Sequence, residues 1–258
     1  MDSKQIIKKI MEKKEFSKLS LVDVRLALKQ FEDKKYIDKD KVKLTRGLLK
    51  KVFSVFSSGK IGAGKVRSVD WILKKHLSTR ERLKYYKKLY NKLFRNYVGD
   101  NVSVFDLGAG VNGLSYNYFK NIEVDYVGVE SIGQLVDVMN NYFKKEKLKG
   151  IAVHMSLFDL NGLKKIIKNK KGKKIVFLFK VIDSLEIMER NYSKKLLKEL
   201  VPLVDEVVVS FATKNLISNR EFAAKRKWLR EFLKENFDIS DDFMLGGERY
   251  VVFKHKKI

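Results

Sequence analysis

Apolar residues in the first hundred positions recur three or four residues apart, the spacing of a helix with one buried face. This pattern predicts helices over residues 6–11 and 48–56. Residues 19–31 are apolar enough for another helix, although the alternation within residues 22–28 would also suit a strand. Further on, Ser78 and Glu81 have the spacing of a capping box, which predicts a helix from there to about residue 97.

The pattern changes after residue 100, where short apolar runs alternate with helical stretches such as residues 134–147 and 192–200. Such alternation is typical of a parallel sheet covered by helices on both faces. The tail predicts a helix near residues 221–235 and then an antiparallel hairpin around Gly246 and Gly247. The predicted parallel strands are residues 102–107, 124–129, 151–154, 174–179 and 206–211.

These patterns divide the chain into a helical extension over residues 1–98 and an α/β domain over residues 99–258. Charge follows the same division, because 28 basic and 11 acidic residues fall within the first hundred of a chain whose net charge is +25. A basic segment of this kind favours an RNA-docking surface over a solvated face or an anionic membrane surface. The candidate contacts are Lys60, Lys65, Arg67, Lys74 and Lys75, with Arg226 near the predicted tail helix.

Composition excludes several kinds of site and compartment. With no cysteine among 258 residues, disulfides, thiolate metal sites and a cysteine nucleophile are excluded, and a reducing cytoplasm is expected. No apolar run is long enough to span a membrane, and the charged N-terminus is unlike a secretory signal. Because the three histidines are scattered, we expect no metal site. We expect a cytoplasmic protein, and we also expect it to be a monomer.

A glycine-rich loop follows the first predicted strand and carries the candidate cofactor chemistry. Gly108, Gly110 and Gly113 match the dinucleotide fingerprint, and glycines there let the backbone approach a ligand. Asp106, two residues before Gly108, instead gives the D-x-G-x-G arrangement typical of methyltransferases. Glu130, at the end of the next strand, suits the two ribose hydroxyls.

These features favour S-adenosylmethionine over a dinucleotide or a loop without cofactor. Asp159, just beyond the third strand, could accept from the adenine amino group, and the terminal hairpin is typical of class I methyltransferase sheets. The candidate cofactor-binding residues from this region are Asp106, Gly108, Ala109, Gly110, Glu130, Phe158 and Asp159.

A second glycine-rich segment, residues 59–65, fits the phosphate-binding pattern G-x-x-x-x-G-K. Val66 occupies the position where a magnesium-binding hydroxyl is needed, and the preceding segment is a better helix than strand. A basic loop that touches RNA phosphates is therefore favoured over a nucleotide triphosphate site.

Residues and motifs that the sequence lacks exclude some target atoms for methylation. Without cysteine, methylation of pyrimidine C5 through a thiolate adduct is excluded. The N-P-P-[YF] motif that serves exocyclic amino groups is absent, since the corresponding strand end reads Phe179-Lys180-Val181-Ile182. Ring nitrogens such as guanine N7, ribose hydroxyls and protein side chains remain.

Four segments together resemble the 16S rRNA guanine-N7 methyltransferases that confer aminoglycoside resistance. They are the H-x-S-T-x-E-R motif at residues 76–82, the loop at residues 106–113, the strand end at residues 178–185 and the S-F segment at residues 210–216. Gly113, Asp183 and Ala212 stand where the family has proline, and Asn215 where it has serine. These departures predict looser loops on the target side.

The resemblance implies a class I fold, S-adenosylmethionine as cofactor, and the small ribosomal subunit with its 16S rRNA as partner. It implies that Ser78, Thr79 and Arg82 approach the methionine end of the cofactor, with Arg82 pairing with the carboxylate. Lys180, Ser210 and Lys214 would face a flipped guanine or its phosphate. Other rRNA or tRNA bases stay open as targets, as does a non-catalytic role in ribosome assembly.

Overall fold

The computed structural model describes residues 2–32, 36–53, 68–119, 122–213 and 226–256. Within these ranges seven strands form one sheet of order β3-β2-β1-β4-β5-β7-β6. The first five strands are parallel, and β7 pairs antiparallel with both β5 and β6. The strands are β1 Asn101–Leu107, β2 Glu123–Glu130, β3 Gly150–His154, β4 Lys173–Phe179, β5 Glu206–Ala212, β6 Phe237–Leu245 and β7 Glu248–His255.

The predicted strands and terminal hairpin are confirmed. The parallel strands were recognisable because central strands are buried on both faces and therefore appear in the sequence as apolar runs. In β1, Val102 and Val104 pack on one side of the sheet, whereas Phe105 and Leu107 pack on the other. Helices α8 Leu160–Lys168, α9 Ile182–Met188, α10 Tyr192–Leu200 and α11 Lys227–Asn236 cover the second side. The part of the predicted tail helix that falls within residues 221–225 lies outside the described residues.

The first side of the sheet is covered by the N-terminal helices together with α7. The helix predicted over residues 19–31 is present as Leu21–Glu32, so the strand alternative for residues 22–28 is wrong. The helices are α1 Ser3–Met11, α2 Leu21–Glu32, α3 Asp38–Phe53, α4 Val69–Lys75, α5 Leu77–Arg82, α6 Tyr86–Leu93 and α7 Gly133–Lys145. Ile10, Leu28 and Leu49 belong to the same apolar cluster as Val104 and Tyr126, so helical part and sheet share a core.

The single helix predicted from Ser78 to about residue 97 is wrong, because a turn separates α5 from α6. The residue before α5 is His76, and its side chain makes no capping bond. Ser78 lies inside the helix and hydrogen-bonds to Arg82, while Glu81 reaches Lys180 on β4's carboxyl end. A hydrogen bond within the helix and a tertiary ion pair therefore replace the capping box.

The β1–β4 junction positions the candidate site. The chain leaves β1 toward β2 on one side, and β4 lies on its other side. Ligands of open α/β sheets bind in the crevice outside the carboxyl ends of strands at such a switch point. A cavity lies there, and the loops after β1, β2, β3 and β4 all contribute to its lining.

Candidate cofactor and nucleic-acid site

The loop after β1 is held in a tight conformation that requires glycine. Gly108 and Gly110 have positive φ angles of 75° and 57°. A Cβ atom on Gly108 would lie 2.6 Å from Val181 Cγ2, and one on Gly110 would lie 2.7 Å from His76 Cε1. Both Gly108 and Ala109 donate their N–H groups to the Val129 carbonyl, at 2.9 and 3.1 Å. The loop therefore lies closely packed on the end of β2.

Glu130 ends β2 and points back at this loop. Its carboxylate accepts hydrogen bonds from the Gly110 N–H at 2.7 Å and from the Ile132 N–H at 2.9 Å. Burial raises the pKa of Glu130 to about 7, although these backbone donors act in the opposite direction. This carboxyl group therefore keeps its proton to a higher pH than an exposed glutamate does.

Asp106 lies beneath the loop as an internal anchor. It accepts from the Asn112 amide and from the Tyr126 hydroxyl, each at 2.6 Å, and it is almost fully buried. Burial raises the pKa of this carboxyl group. Asn112 also accepts from Arg82, so Asp106 is connected to the H-x-S-T-x-E-R segment through one amide.

The remaining predicted cofactor residues divide into two groups. Ser78, Arg82 and Phe158 line the cavity together with the loop glycines, Ala109 and Glu130. Thr79 and Asp159 are not among the residues that line this cavity. Thr79 donates to the backbone carbonyls of Leu73 and His76, and Asp159 caps α8 by accepting from the Gly162 N–H at 3.0 Å. Contacts of these two side chains with a cofactor stay predictions.

A buried charge network joins the predicted cofactor and target residues. Arg82 is 3% exposed and donates to Glu248 at 3.2 Å, to Asn112 at 2.8 Å and to Ser78. Glu248, at the start of β7, also accepts from Ser210 and lies 3.4 Å from the Lys180 ammonium. The network therefore spans the carboxyl ends of β4 and β5.

Glu248 is the residue of this network that sequence reasoning missed. It follows the Gly246-Gly247 turn, and only the pairing of β7 with β5 brings it opposite Ala212 and near Ser210. Lys180 has a positive φ of 60°, and its ammonium group also pairs with Glu81. Lys214, the third predicted target residue, lies outside the described residues.

The predicted RNA contacts fall partly outside the described ranges. Lys60, Lys65 and Arg67 do so, as does the phosphate-loop pattern. Lys74 and Lys75 are exposed at the end of α4. Arg226 pairs with Asp183 and donates to the Ala212 carbonyl at 3.0 Å, so this side chain already has internal partners.

A basic groove between α1 and α3 was missed by the sequence analysis. Its basic residues on α3 could have been found from their helical spacing, since Lys39 and Lys43 lie four residues apart. Arg46 ties the two helices together by donating to the Ile10 carbonyl at 3.3 Å and to that of Lys9. The lining is Lys9, Lys13, Glu15, Ile37, Lys39, Asp40, Val42, Lys43, Arg46, Gly47 and Lys50.

The described residues contain neither a candidate metal site nor a membrane-spanning helix. No group of three or more His, Asp or Glu side chains there is arranged to hold a metal ion. None of the described helices combines the length and the apolar character needed to cross a membrane.

The sheet order with an antiparallel β7, the glycine loop after β1 and the acid ending β2 define a class I methyltransferase fold. The chain belongs to the ribosomal RNA methyltransferase (FmrO) family, whose profile matches residues 35–234. The family membership and fold class predicted from the sequence motifs are therefore confirmed.

One curated relative and several solved structures are similar to the chain. The 16S rRNA (guanine(1405)-N(7))-methyltransferase of Proteus mirabilis is 24% identical over 189 residues, which span 70% of this chain and 63% of that protein. The match thus covers less than two thirds of the relative's length.

Solved structures match the whole fold at low identity. The 16S rRNA methylase RmtB matches with a TM-score of 0.77 at 20% identity, covering 99% of both chains. An rRNA methylase from Escherichia coli matches at 0.76 and 20% identity, covering 99% of this chain and 100% of that one. RmtF, solved in complex with S-adenosyl-L-homocysteine, matches at 0.77 and 17% identity, with the same coverage.

Proposed function

We propose that this chain methylates N7 of a guanine in the decoding region of 16S rRNA, using S-adenosylmethionine. The observation that carries the proposal is the contact between the glycine loop and Glu130 at the mouth of the β1–β4 crevice. Family membership and the name of the Proteus mirabilis relative support the substrate class. We propose further that the chain acts as a cytoplasmic monomer on the small ribosomal subunit.

The residues of the cavity fit the proposed cofactor. Close neighbours fill the space that a Cβ would need at Gly108 and Gly110, so only bare backbone can line the ligand there. Glu130 would accept from the ribose hydroxyls, and the apolar Leu157 and Phe158 would face the adenine. Ser78 and Arg82 would meet the methionine end. When bound, the cofactor supplies an electrophilic methyl group on a sulfonium.

Methylation of N7 needs positioning more than acid–base chemistry. The N7 lone pair forms the new bond to the methyl carbon as the sulfur–carbon bond breaks, and no proton has to leave the base. The task of the protein is therefore to hold a flipped guanine in line with the methyl group. Lys180 and Ser210, fixed by Glu248 at the ends of β4 and β5, are the proposed groups on the target side.

Mapping of the modified nucleotide tests this proposal. Purified small subunits are incubated with the protein and S-adenosylmethionine, then treated with borohydride and aniline, which cleave RNA at N7-methylguanine. We expect one new reverse-transcription stop in the decoding region of 16S rRNA. Methyl incorporation without such a stop would indicate another target atom, and no incorporation despite cofactor binding would favour the assembly-factor alternative.

Docking onto RNA is proposed to use the exposed lysines of the groove between α1 and α3. We expect the variant Lys9→Gln, Lys13→Gln, Lys39→Gln, Lys43→Gln to bind small subunits more weakly. The slope of log affinity against log salt should shrink by roughly two to four units, because each phosphate contact releases about one counterion. Its affinity for S-adenosylhomocysteine should be unchanged.

A control variant removes the same charge elsewhere. Lys144, Lys145, Lys147 and Lys168 are exposed and follow or end helices that lead into β3 and β4, at the amino edge of the sheet. Changing these four lysines to glutamine should leave the salt slope near that of the wild type. Equal slopes in both variants would show that the groove is only a solvated face.

Titration of Glu130 gives the proposed cofactor site a pH dependence. Since ribose hydroxyls donate to the ionised carboxylate, affinity for S-adenosylhomocysteine should rise as the pH passes through about 7 and level off above it. Stability of the protein alone should change in the opposite direction. The raised pKa means that the folded protein keeps a proton above pH 4.5, so stability falls between pH 4.5 and about 7.

Calorimetry across this range, with Glu130→Gln as the comparison, checks the assignment. Glu130→Gln should bind S-adenosylhomocysteine more weakly, and its affinity should no longer rise as the pH passes through about 7. Some pH dependence of stability below pH 7 should persist in this variant, because burial also raises the pKa of the neighbouring Asp23. A step near pH 7 that survives in Glu130→Gln would contradict the role given to this carboxylate.

A further inference from the structure

Asp23 is a buried acid of the N-terminal helices that reaches the cofactor cavity. It lies on α2 and is 2% exposed, yet it belongs to the lining of the cavity at the carboxyl ends of the strands. Its carboxylate accepts a hydrogen bond from the Ser131 hydroxyl at 2.5 Å. The hydroxyls of Ser156 and Ser20 lie close enough to this carboxylate to lower its pKa. One side chain of the helical part thus contacts two separate loops of the sheet.

Each of these loops carries a wall of the cavity. Ser131 lies between Glu130 and Ile132, which both line it. Ser156 accepts from the Phe158 N–H at 3.1 Å, and Phe158 lines the apolar side of the same cavity. A shift of the two serines would therefore move the groups on the ribose side and on the adenine side together.

The backbone around Asp23 strengthens the same connection. The Ser20 N–H donates to the Ser131 carbonyl at 2.9 Å, and the Gly133 N–H donates to the Lys18 carbonyl at 2.8 Å. Leu19 forms an antiparallel bridge with Ile132. The start of α2 and the loop after β2 are therefore clamped from both sides, with Asp23 as the contact that extends to the loop after β3.

We propose that Asp23 is a positioning residue of the cofactor pocket, which holds the loops after β2 and β3 in the arrangement that binds the nucleoside part of S-adenosylmethionine. The identity of the ligand rests on the function proposed above. The N-terminal helices are on this account part of the cofactor site in addition to a docking surface. Supporting side chains that lock binding groups by hydrogen bonds are a common requirement of precise sites.

The test uses the full-length protein and two ligands, S-adenosylhomocysteine and 5′-methylthioadenosine, which lacks the amino-acid part. Asp23→Asn keeps the size of the side chain but replaces one acceptor oxygen by an amide donor that faces serine hydroxyls. We expect calorimetry to show that it binds both ligands at least about tenfold more weakly, and by the same factor, because both loops face the nucleoside. Ser78→Ala, near the methionine end, should weaken only S-adenosylhomocysteine.

Two control variants separate positioning from a general loss of stability. Leu28→Ala removes a fully buried apolar side chain from the same helix, so it should lower the melting temperature while ligand affinity well below that temperature stays near the wild-type value. Asp137→Asn removes an exposed ion pair of 2.6 Å to Lys18 that joins α7 to the segment before α2 at the surface. It should change neither quantity.

The possible results are distinguishable. Wild-type protein that binds neither ligand would overturn the proposed function and this inference together. In a second case the wild type binds both ligands, and Asp23→Asn shows no greater loss of affinity than Leu28→Ala. The positioning role is then wrong and the proposed function stands. Weakening of S-adenosylhomocysteine alone would also overturn it, because the two loops would then not serve the nucleoside.

Discussion

A single methyl group added at Gly110 should strongly weaken cofactor binding. In Gly110→Ala the new Cβ would lie 2.7 Å from Cε1 of His76, which is buried and has little room to move. The loop must then shift, and the Gly110 N–H loses its hydrogen bond of 2.7 Å to Glu130. We expect affinity for S-adenosylhomocysteine, measured by calorimetry, to fall by about 10- to 100-fold, which corresponds to the roughly 1.5–3 kcal/mol of a charge-assisted hydrogen bond.

Gly99→Ala is the matched control for backbone strain. Gly99 also has a positive φ, 89°, but a Cβ there would have no atom within 4 Å. Both variants place an L-residue in the left-handed region, which costs roughly 1 kcal/mol of stability. Only the change at Gly110 should reduce affinity. Unchanged affinity in Gly110→Ala would place the cofactor away from this loop.

The sheet could be predicted from the sequence because its strands carry their own signal. Central parallel strands are covered on both faces, so they read as short apolar runs whatever packs against them. The glycine loop and Glu130 could also be predicted from the sequence, since both lie at the ends of strands and meet at one edge of the sheet. For these residues local order along the chain is enough to place them.

The buried charge network could not be predicted, because its partners are far apart along the chain. Arg82 and Glu248 are separated by 166 residues and meet only through the position of β7 beside β5. The same contacts explain the wrong helix prediction after Ser78. Periodicity and capping pointed to a continuous helix, whereas the buried partners of Arg82 and the ion pair of Glu81 fix a short helix and a turn.

Departures from the family motifs were also hard to interpret without the structure. Asp183 stands where the family has proline and was expected to loosen the target-side loop. It instead pairs with Arg226, which also donates to the Ala212 carbonyl beyond β5. A predicted RNA contact and a predicted loose position thus form one ion pair. Neither residue carries a local pattern that would identify the other as its partner.

Among the substitutions proposed, removing the charge of Glu248 should cause the largest loss in the free energy of unfolding. Glu248→Gln leaves the guanidinium of Arg82 buried without its ionic partner, and it weakens the contacts with Lys180 and Ser210. Breaking one side of a buried ion pair is destabilising by about 3 kcal/mol or more. We expect chemical denaturation to show this loss in the free energy of unfolding. Methyl transfer to small subunits should fall as well, since the ends of β4 and β5 lose a common anchor.

Two comparisons decide whether the network acts as one unit. Glu123→Gln removes the same charge from an exposed pair with Lys149 and should leave stability unchanged. In a double-mutant cycle, Arg82→Met combined with Glu248→Gln should be less destabilised than the sum of the single variants, because the second change removes the unpaired charge that the first one creates. Additive losses would mean that Arg82 and Glu248 contribute independently to stability.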